Sequence, residues 1–212
     1  MNKNGPGTLT LTGTNTFTGA TIVNYGTLIV AGSSGGALAT TSAITVNDSG
    51  TLQLGASNQV SNTAPISLNG GTIAKGNFSA GTASAVGLGA LTLTSAGSKL
   101  DFGIGTVGVL SFASFHPGLD TLAIDNWTGT INTVGTGDTD RLIFNTDQSS
   151  NLATFAFTGY NGATEFDLGN GYWEVVPTAV PEPSAWCAAV LGLLAAACHQ
   201  RRRLRIFATS RK

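Results

Sequence analysis

Cysteine is absent from this chain before Cys187, and its other copy, Cys198, lies in the same apolar stretch near the C-terminus. That excludes a disulfide framework and a cysteine-based metal site from the body. Charge is scarce as well, at 10% of the 212 residues against about 25% in ordinary soluble proteins. Histidine occurs twice. No segment before residue 184 carries a convincing 3.6-residue apolar period, which excludes a helical body. Disorder is excluded by the 42% apolar content. A chain of this kind must be ordered by backbone pairing and apolar stripes.

The few charges are unevenly placed. Residues 1–200 hold four basic and eleven acidic side chains, a balance of −7; residues 201–212 hold six basic and no acidic ones. An acidic body excludes nucleic acid as its partner, because phosphate binding needs basic surface there.

What the body has in quantity is glycine, in 29 copies, among Thr, Ser, Asn and Ala. One signature recurs: Gly, then Thr or Ala, then an alternating apolar pair. It stands at Gly7–Leu11, Gly26–Val30 and Gly50–Leu54, with weaker copies at Gly71–Ile73 and Gly89–Leu93. Its glycines return at a near-constant interval of about 20 residues, a period that marks a solenoid. Between the copies lie short alternating runs at Ala20–Asn24, Ala43–Asn47 and Ile66–Asn69. Lys99–Phe102, Val109–Phe112, Thr121–Asp125 and Arg141–Asn145 follow. Each is bounded by turn residues and reads as a strand.

A sandwich would need hairpins, with Asn-Gly or Asp-Gly pairs between its strands. Such pairs are few, and the near-repeat favours stacked coils about 4.8 Å apart, with Leu, Ile, Val and Phe inside. The expected fold is all-β, a right-handed parallel β-helix (solenoid), with a single C-terminal transmembrane helix. Repeats occupy 1–105 and terminal coils with a cap occupy 106–176. A Pro-rich linker follows at 177–184.

The tail reads VPEPSAWCAAVLGLLAAACHQRRRLR. Residues 185–198 are uncharged and mostly apolar, about 21 Å as a helix against a hydrocarbon core of about 30 Å. The flanks favour a membrane reading. Arg201, Arg202, Arg203 and Arg205 follow at once, and Trp186 sits where an interfacial aromatic belongs. Dense arginine on one side predicts a cytoplasmic C-terminus and a body outside.

Val180-Pro181-Glu182-Pro183-Ser184, the apolar segment and the arginine cluster together resemble the PEP-CTERM sorting signal, over 180–205. The resemblance implies export from a Gram-negative bacterium that makes exopolysaccharide, and recognition by an exosortase at Pro181, Glu182 and Pro183. Residues 185–198 would be a transient anchor in the bacterial inner membrane, and the arginine cluster the membrane stop. The protein would then reach the cell surface or the extracellular matrix. A second resemblance covers Gly5–Gly32, through GTLTLTG, Asn15-Thr16-Phe17-Thr18-Gly19 and GTLIVAG. This segment is similar to the autotransporter-associated β-strand repeat, which implies a β-helical, non-catalytic passenger.

No catalytic constellation emerges and no cofactor motif is found. His116, in Phe115-His116-Pro117-Gly118, is expected in a solvated turn, and His199 borders the apolar segment. Asp138 and Asp140, with Asp120 and Asp125, are the weak candidates for a Ca²⁺ site or an acid–base pair on a glycan. The plainer reading is that these aspartates make turn hydrogen bonds. Thr8, Thr10, Thr12, Thr14, Thr16 and Thr18 alternate unbroken, as an ice-binding face would, although Gly13 and Asn15 are expected to break the row. The reading is therefore a non-enzymatic exported component in adhesion or biofilm, with exopolysaccharide and an exosortase as the expected partners. An ice-binding solenoid and a glycan-active β-helix enzyme are the alternatives.

Met1–Gly7 has no apolar h-region or cleavage site, and Gly5–Gly32 begins almost at Met1. The expectation is that in-frame DNA upstream encodes further repeats and a signal peptide. Sequencing that DNA checks it: repeat-coding sequence is predicted, and a strong ribosome-binding site with none behind it would refute the idea.

Overall fold

The structure is a computed structural model that describes residues 1–32 and 36–180. Alternating residues make short strands, laid down in pairs. β1 (Asn2–Lys3) and β2 (Thr8–Leu11) are followed by β3 (Thr21–Val23) and β4 (Gly26–Val30). Next come β5 (Ile44–Asn47) with β6 (Gly50–Leu54), and β7 (Ile66–Asn69) with β8 (Thr72–Ala74). An antiparallel hairpin of β9 (Gly81–Thr82) and β10 (Ala85–Val86) precedes β11 (Leu91–Ser95) and β12 (Lys99–Asp101). Then come β13 (Val109–Phe112), β14 (Phe115–His116), β15 (Leu122–Asp125) and β16 (Arg141–Phe144). A 3-10 helix (Ser149–Thr154) leads to β17 (Phe155–Phe157), β18 (Ala163–Asp167) and β19 (Trp173–Pro177).

Apart from β9 with β10 and β18 with β19, the strands do not pair with their sequence neighbours. β1, β3, β5, β7, β11 and β14 form one parallel sheet; β2, β4, β6, β8, β12, β15 and β17 form another. The fold is an all-β parallel solenoid. In the second sheet the register climbs coil by coil, from Thr8 through Thr27, Thr51, Thr72 and Lys99 to Ala123.

Register makes the core. Leu28, Leu52, Ile73, Leu100 and Ile124 follow one another across the second sheet, all fully buried. Ile44, Ile66, Leu91 and Phe115 do the same across the first. Each such side chain contributes about 1.5–3 kcal/mol by leaving water. Toward the C-terminal end the rows turn aromatic. Trp127 sits edge-on between Phe102 and Phe157, with centroids 5.0 Å from each. Phe144 packs on Phe112, Phe115 and Phe155 at 5.6–5.7 Å.

Close approach explains two of the signature glycines. A Cβ on Gly50 would lie 2.5 Å from the Val23 carbonyl oxygen, and one on Gly71 2.6 Å from that of Val46. By its place in the second sheet the Gly71 copy belongs with the earlier three. The Gly89–Leu93 copy does not: β11 belongs to the first sheet, not to the one holding β2, β4, β6 and β8. The β9–β10 hairpin lengthens that coil, so the successor of Thr72 is Lys99.

A third side is built differently. Single parallel bridges join Leu38 to Val60 and Ala80 to Leu110. It becomes a continuous sheet only where β13 pairs parallel with β16. β19 then pairs antiparallel with β16, and β18 with β19, so the last parallel edge on this side is taken by a reversed strand. Pro177, where the linker was expected to begin, still belongs to β19 and pairs with Ala163. Among the described residues no helix is long and apolar enough to cross a membrane. The expected helix at 185–198 lies outside them.

Ile73→Ala is predicted to lower stability by about 2–5 kcal/mol, because its neighbours in the row cannot collapse into the space. A urea midpoint that does not move would contradict this packing.

Candidate functional site

A solenoid offers its outward rows and corners to a partner. Thr8, Thr27, Thr51 and Thr72 stand in register on the second sheet. At the corner between the two sheets runs a ladder of asparagines. Asn24 Nδ2 donates to Asn4 Oδ1 at 2.6 Å, Asn47 Nδ2 to Asn24 Oδ1 at 2.6 Å, and Asn69 Nδ2 to Asn47 Oδ1 at 2.9 Å. It ends where β11 slips register opposite Asn69 and brings Ser95 alongside. The alternating threonines from Thr8 to Thr18 do not form one strand, in line with the break expected at Gly13 and Asn15. β2 ends at Leu11, and Asn15 Nδ2 turns to the carbonyls of Gly13 and Ala37.

One cleft of about 380 Å³ opens beside the β9–β10 hairpin. Asn58, Ser61, Asn62 and Thr82 give it polar groups, and Val60 and Val86 apolar ones. Its lining carries no charge and no aromatic ring. Its lining therefore holds no acid and no base beside its hydroxyls.

The carboxylates weighed as a weak Ca²⁺ or acid–base candidate each have different partners. Asp140 is fully buried and ion-paired with Lys75 at 3.5 Å, while Asp138 is exposed. Asp125 pairs with Lys99 at 2.7 Å and accepts a hydrogen bond from Thr158 Oγ1. Asp120 closes its own turn, with its N–H on the Pro117 carbonyl. Among the described residues no group of three or more His, Cys, Asp or Glu could hold a metal ion. His116 is exposed as expected, but on strand β14, with the turn starting at Pro117. Pro181, Glu182, Pro183 and Arg201, Arg202, Arg203 and Arg205 lie outside the described residues.

Three buried or paired ionic groups escaped the sequence. Glu174 on β19 is fully buried and takes a two-pronged contact from Arg141, 3.1 Å from Nε and 2.7 Å from the terminal nitrogen. It also accepts the Gly135 N–H at 3.1 Å. Glu165 is pushed upward by burial, and Asp147 downward by its bonds from Ser149. Carboxyls driven apart in this way are one mark of an acid–base pair. Here both bind backbone N–H groups at the start of the 3-10 helix, Gln148 N to Glu165 and Ser149 N to Asp147, so they act as caps. Lys75 is the third, a lysine with no exposed side-chain surface.

Comparison with known proteins adds one finding. The family model of the passenger-associated-transport-repeat matches residues 1–30, across β1 to β4. No curated protein and no solved structure matches the chain. A passenger-type repeat on a parallel solenoid fits an exported surface protein.

The Lys99–Asp125 pair gives a pH prediction. The Lys99 hydrogen bond, then that of Thr158, holds the Asp125 carboxyl below the usual range, and the same pair raises Lys99 above the usual lysine range. The Asp125 contribution is present at neutral pH and is lost as pH falls through its lowered value. The Lys99 contribution is lost as pH rises through its raised one. Asp125→Asn should therefore destabilise by at most about 1 kcal/mol near neutrality, because the pair is partly exposed. Urea titrations across pH should show that gap closing in acid; a gap that persists there would contradict the assignment.

Proposed function

We propose that the chain is a non-enzymatic component of a bacterial surface or extracellular matrix, exported as a passenger and held outside the cell for adhesion or biofilm structure. The passenger-associated repeat at residues 1–30, set at one end of the parallel solenoid, carries this reading. The chemistry of the body supports it. Neutral rows of Thr and Asn, a neutral cleft and carboxylates engaged in ion pairs and caps suit contact with a hydroxyl-rich polymer such as exopolysaccharide.

Sorting belongs to the tail. In our reading Pro181, Glu182 and Pro183 are recognised by an exosortase, residues 185–198 anchor the chain transiently in the inner membrane, and Arg201, Arg202, Arg203 and Arg205 stop it there. The C-terminus is then cytoplasmic until the tail is processed.

The test is fractionation of an exosortase-containing, exopolysaccharide-producing bacterium expressing the tail on a secreted reporter. The intact tail should deliver the reporter to the surface, and replacing Pro181, Glu182 and Pro183 with Ala should leave it in the inner membrane. Equal distribution of the two would sink the sorting role. Separately, the purified body should bind polysaccharide without cleaving it. Turnover abolished by Asp138→Ala or Asp120→Ala would make it an enzyme, and thermal hysteresis would make it an ice-binding protein.

A further inference from the structure

A lysine and an aspartate that face each other with no exposed surface need an explanation, because burying two charges costs several kcal/mol each unless every bond is satisfied. Lys75 leaves the end of β8, and Asp140 stands immediately before β16, well further along the chain. Both side chains are fully buried. The two carboxylate oxygens are treated unequally. Oδ2 accepts the Thr128 N–H at 2.9 Å and the Thr128 Oγ1–H at 2.7 Å. Oδ1 accepts no hydrogen bond, and Lys75 Nζ stands 3.5 Å from it.

The amine is held in place from its other side. Nζ donates to the Gly76 carbonyl at 3.0 Å and to Thr106 Oγ1 at 3.3 Å, and lies 6.0 Å from the centre of the Phe102 ring. Trp127 packs against that ring. The backbone leaves just enough room: a Cβ on Gly108 would come 3.2 Å from Nζ, and one on Gly129 would run into the Trp127 ring. This is a fully buried amine and carboxyl, with two donors on Oδ2 and the Lys75 ammonium beside Oδ1.

We propose that Lys75 and Asp140 condense into an intramolecular amide that cross-links the solenoid. A proton passes from the ammonium to Oδ1, leaving an amine and a carboxylic acid. The Nζ lone pair attacks Cγ, and the electron pair of the C=O bond moves to Oδ2, where the Thr128 N–H and hydroxyl stabilise the oxyanion. The nitrogen gives up one proton to Oδ1, the C–Oδ1 bond breaks, and water leaves as the carbonyl re-forms. One N–C bond is made, one C–O bond is broken, and no oxidant or further reactant is needed. Burial favours the neutral amine, since desolvation, the largest influence on Lys75, pulls it below the usual lysine range against the pull of Asp140. Such a bond would serve as a staple in a body that has no cysteine.

The test is peptide mapping of the full-length chain by mass spectrometry, sampled over days after folding. The Lys75 peptide should be found joined to the Asp140 peptide, one water lighter than their sum, with no tryptic cleavage after Lys75 even in denaturant. Lys75→Arg keeps the cation and cannot form the amide, so its peptides should stay separate. Thr128→Val should slow the cross-link by about 100-fold, the loss typical of one oxyanion donor. Folded wild-type protein in which denaturation leaves Lys75 fully cleavable, with no joined peptide, would overturn the proposal and leave a static ion pair.

Discussion

A coil of this protein can bury its apolar residues only if the coils above and below put theirs in the same place. Leu52 is covered by Leu28 on one side and Ile73 on the other, and neither β4 nor β8 is next to β6 in sequence. With charges at 10% of the chain, no network of surface ion pairs could substitute for that register. The rest of the structure follows from keeping it. Glycine stands at Gly50 and Gly71 because any Cβ would strike the coil before. The asparagines at the ends of β5 and β7 bond to their counterparts, so a slip of one residue would break the ladder as well as turn the core outward.

Register also limits what the surface can do. Some outward positions of the stacked coils form rows of like residues, here the threonines from Thr8 to Thr72 and the asparagines from Asn4 to Asn69. Such rows offer hydroxyls, methyls and amides at a spacing of about 4.8 Å, the feature on which the proposed polymer contact rests. Two of the three ion pairs among the described residues, Arg141–Glu174 and Lys75–Asp140, are turned inward, and the third, Lys99–Asp125, is partly exposed.

Much of the regular part of this fold was legible in the sequence. The runs Ile66–Asn69 and Val109–Phe112 are strands with those same bounds, and the Gly-Thr-apolar signature marks the second sheet from β2 to β8. What could not be read has physical causes. The third side rests on single bridges such as Leu38 to Val60, and one residue carries no alternation. The hairpin at Gly81–Val86 is too short to show a period, yet it moves the Gly89–Leu93 copy into the other sheet. Asparagine ends Ala20–Asn24, Ala43–Asn47 and Ile66–Asn69 alike, so the ladder was written there as strand boundaries. Lys75 follows Thr72–Ala74 in a signature copy, and its burial depends on Phe102, Trp127 and Asp140 arriving from later coils. No local pattern contains that.

The central claim is parallel register between coils, and nuclear Overhauser contacts between backbone protons test it most directly. The account predicts amide-to-Hα contacts linking Leu28 with Leu52, Leu52 with Ile73 and Ile73 with Leu100, and no short Hα–Hα contacts between β3 and β4 or between β5 and β6. Strong Hα–Hα contacts between those sequential strands would mean an antiparallel meander and contradict the solenoid.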